Sequence, residues 1–217
     1  MPTNFYEKQN IRHLNKLKDL APEQSQAFAE FNNAVFQEGA LSNKEKEIIA
    51  VAITHVTECP YCIDSHTKSA KKAGASLEEL AEAAFVTASV EAGGAVTHST
   101  HMQNAADPEA EDALYLRSNL KKLSTLGRNA HVGFRGYSQF SAAAMKEGKL
   151  SAKFKEIIAV AVAHATQCPY CIDVHTKNAV NAGATNQELS EAVLVTSALL
   201  AGGAYAHISN MIESYGE

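Results

Sequence analysis

An all-α chain, built as a tandem duplication, is what these 217 residues predict. The first observation is a long self-match. Cys59-Pro60-Tyr61-Cys62-Ile63-Asp64-Ser65-His66-Thr67-Lys68 returns 109 residues later as Cys168-Pro169-Tyr170-Cys171-Ile172-Asp173-Val174-His175-Thr176-Lys177. The second is a set of helix-start signatures at matching places, and the third is the lack of any alternating strand pattern bounded by turns.

The register extends well beyond the cysteine segment. Glu47-Ile48-Ile49-Ala50-Val51-Ala52 pairs with Glu156-Ile157-Ile158-Ala159-Val160-Ala161, Gly74 with Gly183, Gly93-Gly94 with Gly202-Gly203, and His98 with His207. It runs back through Phe31/Phe140 and Leu41-Ser42/Leu150-Ser151 toward Leu14/Leu123. The expected organisation is repeat one at 11–108, an acidic connector at 109–119, and repeat two at 120–217.

Within a repeat, Ser42-x-x-Glu45 is a capping box, in which hydroxyl and carboxylate satisfy orphan N–H groups at a helix start. The apolar run Lys46 to Val56 continues that helix to about Thr57. Cys59-Pro60 opens a second helix, since proline is tolerated in a first turn where its missing N–H has no partner anyway. Gly74 suits the left-handed stop of that helix. Ser76-x-x-Glu79 and Thr185-x-x-Glu188 start a third, which runs into the Gly-Gly pair, a place for a bend or a close helix contact.

Net charge is −5, so no basic field draws the chain to nucleic acid or to an anionic membrane. Met1 to Lys8 lacks the basic-then-apolar order of a secretory signal. The longest uncharged apolar run, Ala192 to Ala206, is too short to span a bilayer and reads as a buried helix or subunit contact. A cytoplasmic location is therefore expected, with neither nucleic acid nor membrane as partner. Four cysteines in such a chain point to redox or metal chemistry rather than a structural disulfide framework.

Cys-x-x-Cys at a helix start puts two sulphurs on one face, and the free N–H groups and helix dipole there favour thiolate. His66 follows Cys62 by one turn, as His175 follows Cys171, so an imidazole can exchange a proton with that sulphur. Glu47 and Glu156 lie inside apolar stretches and need partners; a histidine is a suitable one. His55 and His164 can line a pocket, although a hydrogen-bonded core role fits them as well, and Tyr61 and Tyr170 are expected as pocket walls. His98 and His207 read as core or interface histidines. Lys68, Lys71 and Lys72 read as a solvated face.

The combined set, Glu47, Cys59, Cys62 and His66, repeated as Glu156, Cys168, Cys171 and His175, resembles the signature of the AhpD-like alkylhydroperoxidases within the carboxymuconolactone decarboxylase family. The resemblance covers both repeats. It implies an all-helical fold and an enzyme that reduces hydroperoxides to alcohol and water. It further implies that Cys62 and Cys171 attack the peroxide, that Cys59 and Cys168 resolve the product, and that Glu47–His66 and Glu156–His175 relay protons. No cofactor or metal is expected, because the disulfides are themselves the redox groups and an external thiol or lipoyl-type protein would reduce them. Some members carry a histidine directly before the attacking cysteine, where this chain has Tyr61 and Tyr170. Glu58/Gln167 and Ser65/Val174 also differ between repeats, so two sites per chain are expected whose reactivities need not be equal.

Other readings of the same residues are a zinc-binding structural protein using Cys-Cys-His sets, a redox sensor or disulfide-exchange protein, and a lactone-acid decarboxylase. Single-repeat relatives form closed rings, and the segments Ala81 to Val90 and Ala192 to Ala206 are too apolar for full exposure. A homotrimer is the expected assembly.

Overall fold

The computed structural model describes residues 6–107, 109 and 113–216. Pro108, Ala110, Glu111 and Asp112 of the expected connector region lie outside the described residues, as do positions 1–5. A 3₁₀ segment, Lys8–Lys16, leads into α1 (Leu17–Leu20), α2 (Pro22–Val35), α3 (Asn43–Thr57), α4 (Pro60–Lys72) and α5 (Leu77–Ala105). A second, Arg117–Lys122, leads into α6 (Leu123–Asn129), α7 (His131–Met145), α8 (Ala152–Ala165), α9 (Pro169–Asn181) and α10 (Asn186–Tyr215). Starts of the later helices in the two halves match at the 109-residue offset, and no strand occurs among the described residues.

Local chemistry explains the helix ends. Complete capping boxes open α3 (Ser42, Glu45), α5 (Ser76, Glu79) and α10 (Thr185, Glu188). Ser151 caps α8 alone, because its third helical residue is Phe154 rather than an acid. Gly74 and Gly183 stand at φ +90° and +91° just past α4 and α9, a conformation that costs glycine nothing.

Helices α3 and α8 form the centre. Ile48, Ile49, Ile53, Ile157, Ile158 and Val160 are almost wholly removed from water. A helix apolar around its whole circumference needs neighbours on every side. The long helices supply them: α5 packs on α3 of its own repeat and on α8 of the other, while α10 packs on α8 and on α3. Thr87 Oγ1 donates to the Ala52 carbonyl, and Thr196 Oγ1 to the Ala161 carbonyl, each at 3.1 Å, fastening the long helices to their own repeats.

Carboxylates fasten them to the opposite repeat. Glu191 on α10 accepts from the Ala40 and Leu41 N–H groups and from Lys46, at 2.8, 2.9 and 3.1 Å. Glu82 on α5 does the same for Lys149, Leu150 and Lys155, at 2.7, 2.9 and 2.9 Å. The halves are thus interlocked rather than strung in sequence.

The Gly-Gly pairs do not end either long helix, which runs on to Ala105 or Tyr215. Gly93 instead permits close approach: a Cβ there would lie 2.9 Å from the Tyr137 hydroxyl oxygen. α10, at 30 residues and mean hydropathy 1.4 over its most apolar window, is long and apolar enough to cross a bilayer, unlike the shorter run visible in the sequence. Its packing on α8 and α3 is what a core helix requires.

Candidate active site

Each cysteine pair is built by a turn that the chain makes at some cost. Glu58 and Gln167, between the central helix and the one that follows, hold φ +51° and +55°, a left-handed conformation strained for side-chain-bearing residues. The turn leaves Cys59 and Cys168 extended and at the N-cap position. Their sulphurs accept the N–H of Cys62 and Cys171 at 3.3 Å, the place a serine or aspartate oxygen usually fills. Pro60 and Pro169 occupy the first helical position.

All four cysteines are buried free thiols. The Cys168 and Cys171 sulphurs lie 2.8 Å apart, and Cys59 and Cys62 also share a hydrogen bond. That shared proton is the largest influence on both members. It brings Cys59 down to about 6 and Cys168 to about 5, against the opposing push of burial and with help from the Cys62 or Cys171 backbone N–H. Cys62 and Cys171 move upward, because each keeps the proton beside a thiolate and is itself buried. The N-cap position, with a backbone N–H donated to it, thus favours the charge on Cys59 and Cys168 over their partners.

Glu47 and Glu156 do find the histidines. His66 Nδ1 lies 2.8 Å from Glu47 Oε2, and His175 Nδ1 lies 2.8 Å from Glu156 Oε2. Holding Nδ1 fixes the ring plane and leaves Nε2 for exchange. In repeat one, Cys62, Ser65 and His66 share a cavity of about 220 Å³ with apolar walls that include Phe28, Leu199 and Tyr205. Phe28 and Tyr205 stack there at 4.4 Å. Cys59 is fully buried and is not among the residues that line this cavity, so the cavity-facing sulphur is that of Cys62.

Part of the wall comes from the other repeat, including Leu199, Gly202 and Tyr205 of α10. Tyr205, Ala206 and His207 belong to α10 yet surround the first pair, with the His207 ring 6.3 Å from that of Tyr61. Reciprocally, α5 brings Thr97 and His98 to the second pair: Thr97 Oγ1 lies 3.6 Å from the Cys168 sulphur, and the His98 ring 6.2 Å from Tyr170. His207 and His98 add to the lowering of Cys59 and Cys168, respectively. The Nε2 atoms of both are buried without a hydrogen-bond partner among the described residues.

Tyr61 and Tyr170 are buried beside the pairs. The Tyr61 hydroxyl donates to Asn210 Oδ1 at 2.9 Å; the Tyr170 hydroxyl donates to the Leu114 carbonyl and accepts from Asn119 Nδ2, both at 3.1 Å. His55 and His164 are not brought to the pairs. Each binds the carbonyl four residues back on its own helix at 2.8 Å, and His55 is exposed beside Glu91. Local spacing allows His55 and His164 either a pocket or a hydrogen-bonded role, and the contacts they make are of the second kind. The available signal was that His98 and His207 are polar groups kept in register within otherwise apolar helices. Among the described residues, no group of three or more His, Cys, Asp or Glu is arranged to hold a metal ion.

Fold and site together define a duplicated helical protein with a buried dithiol beside a carboxylate-tethered histidine in each half. The chain belongs to the carboxymuconolactone decarboxylase family, whose profile matches residues 22–103 and again 133–213. That family includes both AhpD-like peroxidases and carboxymuconolactone decarboxylases. A crystal structure described as "a putative gamma-carboxymuconolactone decarboxylase subunit", from Burkholderia xenovorans LB400, shares the fold with a TM-score of 0.66 over 98% of both chains, at 20% identity. An uncharacterized protein of the cox locus of Paracoccus denitrificans is 45% identical over 73 residues, which cover 34% of this chain and 66% of that protein. An uncharacterized protein of Cupriavidus necator is 30% identical over 95 residues, covering 44% of this chain and 83% of its own length.

Proposed function

We propose that this protein is a thiol peroxidase with two sites per chain, working in a reducing compartment such as the cytosol. The observation that carries the reading is the repeated arrangement of a helix-capping sulphur, its partner sulphur and a Glu-tethered histidine. The resting pair holds one proton between two sulphurs. Moving that proton to the N-cap sulphur's side, or onto His66, leaves a thiolate on Cys62, which faces the cavity. That thiolate attacks one peroxide oxygen; the O–O bond breaks, the alkoxide takes the proton that Cys59 or His66 received and leaves as alcohol, and Cys62 becomes a sulfenic acid. Cys59 then attacks the oxidised sulphur, the S–S bond forms and hydroxide leaves as water after protonation. The dithiol has lost two electrons and the peroxide has gained them. An external thiol or lipoyl-type dithiol protein returns the pair to the reduced state, and no bound cofactor is needed. Cys171, Cys168, His175 and Glu156 take the same roles in repeat two.

The test is stopped-flow consumption of hydrogen peroxide and an alkyl hydroperoxide by the pre-reduced protein, with sulfenic-acid trapping in Cys59→Ser/Cys168→Ser and Cys62→Ser/Cys171→Ser variants. Label at Cys62 and Cys171 in the first variant is expected. Label confined to Cys59 and Cys168 in the second would reverse the roles, and no peroxide consumption would end the reading. Zinc bound at about one ion per repeat and retained against a chelator would favour a structural Cys-Cys-His site instead.

A further inference from the structure

The two cysteine pairs share one sequence motif but not one environment. Position 97 on α5 and its counterpart 206 on α10 face the opposite repeat's cysteines, and there the duplication departs from itself: threonine at one, alanine at the other. Thr97 Oγ1 reaches both sulphurs of the second pair, 3.6 Å from Cys168 and 3.9 Å from Cys171. Ala206 packs in the apolar cluster with Cys59, Tyr61 and Cys62 and offers those sulphurs no hydrogen-bonding group.

The geometry points to Thr97 as a catalytic residue of the second site, supplied by the first repeat, whose hydroxyl makes the Cys168–Cys171 disulfide the more easily reduced of the two. The proposal rests on the pairs cycling between dithiol and disulfide, not on peroxide being the oxidant. A hydroxyl has one proton and two lone pairs, so it adapts to either state of its neighbour. Beside a thiol, it accepts from S–H while donating to the Gly94 carbonyl at 3.1 Å. Beside a thiolate, it turns its proton to the sulphur. A disulfide has neither a proton to give nor a charge to stabilise, so the contact favours the reduced pair alone. Anything that stabilises the reduced form raises the reduction potential, which makes the disulfide a better oxidant.

Other charged and titratable groups face the two pairs as well. His98 and Cys171 stand against Cys168, and His207 and Cys62 against Cys59; the second site adds His101, its ring 5.9 Å from that of Tyr170, where the first has Asn210, which accepts from the Tyr61 hydroxyl. Tyr137 on α7 lies near the second pair; its phenol is pushed upward chiefly by burial and also by the charge on Cys171 and Cys168. The corresponding residue near the first pair is Phe28, with Tyr205 stacked on it. The Thr97 hydroxyl is among the groups that lower Cys168, and no hydroxyl plays that part for Cys59.

The experiment poises the full-length protein in dithiothreitol redox buffers, quenches by alkylation and reads each pair separately by mass spectrometry. In the unaltered protein, Cys59–Cys62 should oxidise at a more negative potential than Cys168–Cys171. Thr97→Val should lower the midpoint of the second pair by about 30 mV, a tenfold change in its equilibrium, and raise the Cys168 alkylation pKa by about one unit. Thr97→Ser should retain both values, and the first pair should not move. Ala206→Ser should shift the first pair in the opposite direction, and it carries the test alone if circular dichroism shows that Thr97→Val is unfolded. An unchanged second-pair midpoint in folded Thr97→Val, or an equal shift of both pairs, would overturn the proposal, as would an unmoved first pair in Ala206→Ser. Because no peroxide is used, midpoints that move as described in a protein that consumes no peroxide would refute only the peroxidase reading.

Discussion

The Glu191 carboxylate accepts the Leu41 N–H at 2.9 Å from a position 150 residues further along the chain. With its counterpart Glu82, it caps a loop of the opposite repeat and neutralises a buried lysine there. Each repeat therefore depends on the other for part of its own backbone hydrogen bonding.

Removing this interlock should show in acid stability. Burial pushes Glu82 and Glu191 upward, but the backbone N–H groups and the lysine outweigh it and hold both at about 2, against a usual 4.5. A depressed carboxylate contributes stability above its unfolded value, and that contribution is lost as pH falls from about 4.5 through about 2. Glu82→Gln and Glu191→Gln should each cost roughly 1–2 kcal/mol at neutral pH, allowing for solvent screening. The difference from the unaltered protein should shrink through that acid window in urea unfolding. A constant difference from pH 7 to pH 2 would contradict this account.

The thiols should titrate unequally. Thiolate absorbance should rise in two steps, near pH 5 for Cys168 and near pH 6 for Cys59. Cys62→Ala removes the leading cause of the Cys59 shift and should move that step toward 9, the ordinary thiol value. Alkylation of Cys59 at pH 7 should then slow, because less of it is ionised. Faster alkylation would show that the shared proton is not what lowers it.

The Glu–His tether should matter to chemistry more than to folding. Glu47→Gln, made in a chain whose second site is disabled by Cys168→Ser and Cys171→Ser, should slow single-turnover peroxide reduction by about tenfold or more. Glu156→Gln should do so only when the second site is the active one. A loss of melting temperature without a change in rate would make the tether purely structural.

Assembly is a further expectation. Leu77, Phe85, Leu194 and Leu200 on the two long helices are 77, 60, 49 and 40% exposed, a large apolar area for an isolated subunit. Light scattering should give a mass near 70 kDa, three copies of a 23.2 kDa chain. Phe85→Glu should weaken that assembly, and a 23 kDa particle at micromolar concentration would contradict it.

Much of the molecule was legible in the residues alone, and what was legible is local. Capping boxes act over three residues, Cys-x-x-Cys and His66 over one or two helical turns, and the duplication recurs at one fixed offset; each is a short-range rule that survives without coordinates. The Glu47–His66 pair was within reach for the same reason, since a buried carboxylate must find a partner and only a few groups lie nearby. The N-terminal helices α1 and α2 and their counterparts α6 and α7 are not marked in the sequence, because none has a side-chain cap at its start and many of their residues remain exposed.

Tertiary structure alone decided which half completes which site. Spacing along α10 says nothing about the direction in which that helix leaves its own repeat, so it could not place His207 and Ala206 beside Cys59, or Thr97 and His98 beside Cys168. That direction is set by the packing of two long helices around a shared apolar centre, where burying α3 and α8 on all sides requires each long helix to cross to the other repeat. The motif was written twice, but the two sites differ because each borrows its far wall from the half in which the copy has diverged.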